Sequence, residues 1–179
     1  AESRMNTVVF SLSDSNFTYD GRTVNQIDLQ GRARVSQTRA ELQEVVLKSP
    51  VAEARLHGTM DDWRALRYQM NVTSSVDLTQ LSDTLQSDTT LRGAGNFAGT
   101  ITGEGDQYKL TGEIKSDALA ADGIRLQGLN VSASGSGQGR SYQINGKAVA
   151  DLLNAGDFQI DSLQLAGQAI SGARDAEKG

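Results

Sequence analysis

The chain has no cysteine and a single histidine, His57, so it can assemble neither a thiolate cluster nor a multi-histidine metal site. Thiol chemistry, zinc and haem are not expected, and no cofactor is called for. Proline occurs once against 19 glycines, a balance unlike collagen or Pro/Gly-rich disorder, so the glycines are expected to serve ordered backbone. Aromatic residues are scarce at 5%, and the hydrophobic share of 37% lies below the ~45–50% usual for a similar apolar set. A thick two-sided core is therefore poorly supplied, and a thin fold with one dry face is expected. Basic residues are outnumbered 22 to 17, giving a net charge of −5, the wrong sign for the electrostatic footprint of a nucleic-acid partner. No run approaches the ~18 consecutive apolar residues of a spanning helix, so no transmembrane segment is expected in this chain. The opening AESRMNTVVF lacks the basic and apolar regions of a signal peptide, and the chain trails off in SGARDAEKG. Residues 1–179 are read as one β-segment of a larger protein.

What is present in quantity is alternation. Successive side chains of a strand point to opposite faces, so strict apolar/polar alternation marks a half-buried strand. In LRYQMNVT, Leu66, Tyr68, Met70 and Val72 share one face. In TLRGAGNFAGTIT that face carries Leu91, Gly93, Gly95, Phe97, Gly99 and Ile101, and in YKLTGEIK it carries Tyr108, Leu110, Gly112 and Ile114. The glycines at 93, 95, 99 and 112 leave gaps between large side chains, where the sheet can bend or a ligand chain can lie; bending is the favoured half of that pair.

A second pattern places apolar residues at positions one, four and six. It occurs at Val24, Ile27, Leu29; at Leu42, Val45, Leu47; at Leu126, Leu129, Val131; and at Ile160, Leu163, Leu165. A slip of one residue would turn the later side chains to the wrong face unless the backbone kinks, so bulged or bent strands are predicted there. Residues 108–135 also align without gaps on residues 142–169, Tyr108 on Tyr142, Gly112 on Gly146 and Leu129 on Leu163. An internal repeat of this kind suggests strand–turn–strand units that bury a continuous surface only when stacked.

Helical signal is confined to SVDLTQLSDTL, where Asp77 can cap with Gln80 three residues on, predicting at most one short helix near 77–86. Motifs for chemistry are weak. GAGNFAG lacks the following helix of a phosphate-binding loop, and its glycines match strand alternation. His57 falls on the polar side of EARLHGTM, and Asp61, Asp62 and Trp63 read as a turn rather than a carboxylate pair beside a sugar-stacking platform. No catalytic or metal-ligating residue is singled out, and an enzyme is not expected.

The run LRGAGNFAGTITGEGDQYKLTGEIKSDALAADGIRLQGLNVSASGSG resembles the repeating β-segments of the TamB (translocation and assembly module) and AsmA-like family. The shared cadence is a glycine-alternating strand, an aromatic followed by an apolar residue and glycine, then a turn into an I-x-L-x-G-L-x-V strand. It covers residues 89–170 well and 1–75 loosely. The resemblance implies an all-β fold, an elongated, curved antiparallel sheet of repeated hairpins forming a taco-like hydrophobic groove. It implies a bacterial cell-envelope protein of the periplasm, tethered to the inner membrane through parts outside this sequence. Two roles are implied: transfer of phospholipid or another acyl-chain lipid toward the outer membrane, and assembly of outer-membrane proteins with an outer-membrane barrel partner.

The alternation gives the lipid role a physical basis, because an acyl chain leaving a membrane needs a continuous apolar stripe. The residues expected to line it are Leu66, Tyr68, Met70, Val72, Leu91, Phe97, Ile101, Tyr108, Leu110, Ile114, Leu126, Leu129, Val131, Tyr142, Ile144, Phe158, Ile160, Leu163 and Leu165. Arg67, Arg92, Lys109, Glu113, Lys115 and Arg125 are expected to keep the opposite face wet. The alternative role is an interaction segment whose strand edges assist outer-membrane protein assembly by β-augmentation.

Overall fold

A computed structural model describes residues 4–19, 22–84 and 90–171. Alternation becomes ten strands: β1 (Asn6–Tyr19), β2 (Arg22–Val35), β3 (Arg39–Lys48), β4 (Ala52–Asp61), β5 (Arg67–Asp77), β6 (Leu91–Glu104), β7 (Gln107–Ala121), β8 (Ile124–Gln138), β9 (Ser141–Ala155) and β10 (Phe158–Ser171). Each pairs with the next in sequence, all antiparallel, in one open sheet of order β1 to β10. The protein is thus all-β, with a single short helix, α1 (Leu78–Thr84), among the described residues.

The sequence repeat coincides with two hairpins. Strands β7 and β9 have bounds offset by the same interval as Tyr108 and Tyr142, and β8 and β10 begin at matching positions. Their connections are two residues long, the length whose backbone twist suits adjacent antiparallel strands. At the β7–β8 turn both Asp122 and Gly123 take positive φ, 45° and 84°.

The predicted slips are kinks. Gln26, Gly128 and Ser162 lie just before the second apolar residue of three one-four-six patterns, with left-handed φ of 57°, 61° and 59°. A left-handed residue turns the strand so that the following side chains regain the apolar face. In the fourth pattern the register shifts between Leu42 and Val45. Further irregularities fall between Leu12 and Ser15 and between Gly93 and Asn96.

Strands β3 and β4 are short, and β5 runs into α1, so β2 and β6 overhang their neighbours on either side. Helix α1 occupies that gap, packing on β6 and reaching β2 as well as β5. Its hydroxyls replace the missing strand: Leu91 N–H donates to Ser82 Oγ at 3.2 Å and Gly93 N–H to Thr79 Oγ1 at 3.3 Å. Ser82 is buried at 5% exposure, so β6 backbone donors are satisfied where water has little access.

Asp77 caps α1, accepting from the backbone N–H groups of Thr79 at 2.9 Å and Gln80 at 3.0 Å, and from the Gln80 side chain at 3.0 Å. The Gln80 side chain, then its backbone N–H, hold the Asp77 carboxyl below its ordinary value, with Thr79 adding to the shift and desolvation opposing it. A depressed folded-state value means that the cap contributes fully above the ordinary pKa of 3.8 and is lost as pH falls through the folded value. Acidification below that range is expected to remove amide-exchange protection at Thr79 and Gln80 before the strands lose theirs. Asp77→Asn should flatten this dependence, and protection that ignores pH in the unaltered chain would show that the carboxylate does not hold the helix.

Candidate functional site

Residues opposite one another in paired strands share a face, so the registers assemble the alternating residues into cross-strand rows. One row contains Tyr68, Gly103, Tyr108, Gly137 and Tyr142, and the next Met70, Ile101, Leu110, Gly135 and Ile144. The third is made of small residues from β6 onward, Gly99, Gly112, Ala133, Gly146 and Gly167, with Val72 at its start. The fourth holds Phe97, Ile114, Val131, Ala148 and Leu165.

Across the kinks lie Leu129, Leu126 and Leu153, with Leu163 and Ile160 of β10, and at the far end Leu91, Ala121, Ile124, Ala155 and Phe158. Of the residues expected to line the stripe, those between the kinks fall in these rows or beside them, Leu91, Leu126, Phe158 and Ile160 lie beyond the kinks, and Leu66 falls in none of the rows. That residue lies outside β5, in the turn that precedes it, with φ of 49° and its N–H donating to Asp62 O at 2.8 Å.

The face extends beyond the expected residues into the first four strands. Leu42 joins the Met70 row through Gly58, Val45 and Leu56 join the Val72 row, and Leu12, Leu29 and Leu47 join the Phe97 row. The signal for these positions was present in the one-four-six patterns at Leu42 and Val24, but of the four such patterns only those at Leu126 and Ile160 entered the expected lining.

Among the described residues no second sheet covers these rows. Among the described residues no large side chain is fully buried, and the buried apolar residues are Ala33, Ala40, Val51 and Ala150. The chain exposes 12812 Å², about half as much again as the roughly 8,400 Å² expected for a compact monomer of this size. Leu56, Met70, Leu110 and Val131 are half-buried through contact with neighbours on the same face, whereas Leu165 and Phe158 of the last strand are 60% and 77% exposed.

The gaps left by glycines are mostly filled from within. A Cβ at Gly112 would come within 2.7 Å of Phe97 Cε2, and one at Gly103 or Gly137 would strike the ring of Tyr68 or Tyr108. Gly99 is likewise covered by Phe97, so neither it nor Gly112 is an open berth for a ligand chain. Gly95 does face open space, and Gly93, with φ of 115°, serves bending.

The other face is hydrophilic. Arg39 pairs with Asp61 at 3.1 Å, Arg67 with Glu104 at 3.2 Å and Lys115 with Glu113 at 3.1 Å, all well exposed and so individually weak. Asn71 Oδ1 accepts from Thr100 Oγ1 at 2.8 Å between them. Shallow depressions on this side are lined by groups such as Glu53, Arg55, Glu113 and Lys115, or Arg67, Glu104 and Lys109.

His57 is exposed opposite Asn71, and the Asp62 carboxylate is spent on the N–H groups of Arg64 and Ala65 in the turn. Trp63 Nε1–H donates to Ser36 O at 3.4 Å, which fixes it against the neighbouring turn. No group of three or more potential metal-ligating side chains occurs among the described residues. None of the helices described is long and apolar enough to cross a membrane. No protein-family model matches the chain, and searches of curated proteins and of solved structures return no significant match.

Proposed function

We propose that this chain is an acyl-shielding segment of a bacterial envelope bridge, carrying phospholipid through the periplasm between the inner and outer membranes. The observation that supports this reading most directly is one apolar face running across all ten strands, with no second layer over it among the described residues. Burying such a face is worth about 25 cal/mol per Å² of apolar surface, and a lipid supplies the matching need. Each methylene withdrawn from water contributes about 0.8 kcal/mol, so a single chain of about 14 methylenes supplies roughly 11 kcal/mol. The charged reverse face keeps the loaded sheet soluble.

The test is native mass spectrometry with lipid extraction on the full chain purified from a bacterial periplasm without detergent. Phospholipid bound in stoichiometric amount is expected. A folded chain that carries no lipid and takes none from vesicles would sink the proposal.

A further inference from the structure

Building on the phospholipid reading above, we infer that a row of tyrosines along one margin of the apolar face is the track of the lipid's phosphate, held by their hydroxyls while the acyl chains lie inward. Tyr68, Tyr108 and Tyr142, three of the chain's four tyrosines, stand in one cross-strand row on β5, β7 and β9. Each is the second residue of its strand, so the row borders the turns. Inward of it, from β6 to β9, the rows of Leu110, Gly112 and Ile114 contain no polar side chain. The Ser116 hydroxyl, further along β7, is buried and already donates to Ala94 O. At the far margin the row from Leu91 through Ile124 to Phe158 is wholly apolar. A molecule with one polar end therefore matches the face in one orientation.

Ring packing accounts for the rings and not for their hydroxyls. Tyr68 lies across Gly103 and Tyr108 across Gly137, each leaning onto the following strand with its hydroxyl over the glycine. Phe97 covers Gly112 in the same direction with no hydroxyl, so phenylalanine would suffice as a cover. Among the described residues no group hydrogen-bonds to the three hydroxyls, and those of Tyr68 and Tyr108 are not shut off from solvent. A phenol at an apolar boundary keeps its ring dry and its O–H wet, the arrangement that places tyrosine at membrane interfaces. A phosphate oxygen replaces that water as acceptor, in a stronger, charge-assisted bond.

Charge at the turns acts in the same sense. Those beyond the far margin carry Asp122 and Asp157, which repel a phosphate. Those beside the tyrosines carry Arg64 and Arg140, neither paired with an acid among the described residues, while Asp62 and Asp106 there are taken up by local hydrogen bonds. Successive tyrosines are two strands apart, about 10 Å at about 4.8 Å per strand, so the phosphate advances along the sheet in steps of that length.

The experiment compares the full chain with the triple variant Tyr68→Phe, Tyr108→Phe, Tyr142→Phe, which keeps each ring and removes only the hydroxyls. Both are titrated with dioctanoyl phosphatidylglycerol and with dioctanoylglycerol, which lacks the phosphate. The variant is expected to melt as the unaltered chain does, to lose at least tenfold in affinity for the phospholipid, and to bind dioctanoylglycerol within twofold of the unaltered chain. In the unaltered chain, a nitroxide on the phospholipid headgroup is expected to broaden the amides of Tyr108 and Tyr142 and to spare those of Ile124 and Phe158. That measurement stands even if the variant fails to fold. Equal phospholipid affinity in the two proteins, a matched loss for both probes, or broadening strongest at Ile124 and Phe158 would overturn the track while leaving lipid binding intact. An unaltered chain that binds neither probe would defeat the phospholipid reading and the track together.

Discussion

Leu110→Asp is expected to strip the protein of bound phospholipid, lowering occupancy at least tenfold, while Lys109→Asp leaves it unchanged. Leu110 stands in a row between Ile101 on β6 and Gly135 on β8, with Tyr108 and Gly112 beside it on its own strand. A carboxylate there either loses water when an acyl chain arrives, at a cost of several kcal/mol, or holds water and keeps the chain away. Tenfold corresponds to about 1.4 kcal/mol, so even a partial penalty is visible.

The neighbouring Lys109 lies on the opposite face between Thr102 and Ser136, where a charge is already solvated. Leu110 is only half-buried and β7 is paired on both sides, so the backbone ladder should survive the change. Far-UV circular dichroism and a melting curve establish this before lipid is measured. Equal occupancy in the two folded variants would show that lipid, if bound, lies elsewhere.

The two faces were legible wherever alternation ran inside a strand, as in 108–114, because side-chain direction there depends only on the parity of the residue number. The kinks were legible for a related reason. A residue such as Gln26 has no intrinsic liking for left-handed φ, but apolar residues at 24, 27 and 29 cannot share a face unless something between them turns. Asp77 was legible as a cap because its partners are local in sequence.

Leu66 was not, because its parity matches Tyr68 although Asp62 folds the intervening residues into a turn. Nor were the Thr79 and Ser82 hydroxyls on β6, whose role exists only because β5 ends early, or the covered glycines. Gly112 looks like a gap in the chain and is covered only because the register of β6 against β7 brings Phe97 over it. Register is a property of pairs of strands, and alternation within one strand carries no record of it.

Register also separates two glycines that a strand pattern treats alike. Gly93→Ala is expected to destabilise the sheet by about 2–4 kcal/mol, and Gly95→Ala by no more than about 0.5 kcal/mol. Gly93 takes φ of 115°, a conformation that L side chains rarely adopt, beside the register shift between β6 and β7. A Cβ there would collide with the carbonyl oxygen of Ala118 and come within 3.2 Å of Leu119 Cδ2. The backbone oxygen cannot swing aside as a side chain could, because β7 continues in register on both sides of the kink.

The same residue donates its N–H to Thr79, so displacing it also loosens α1 over the gap between β2 and β6. At Gly95 a Cβ meets nothing within 4 Å, and the smaller conformational freedom of alanine in the unfolded chain offsets any small loss. Denaturant melts of both variants make the comparison, with exchange at Leu91 and Gly93 reporting on the helix contact. Equal, small effects would mean that the kink at Gly93 is soft and that the curvature of the sheet does not depend on it. A large loss at Gly93 alone would show that this kink holds the shape in which the apolar face is presented.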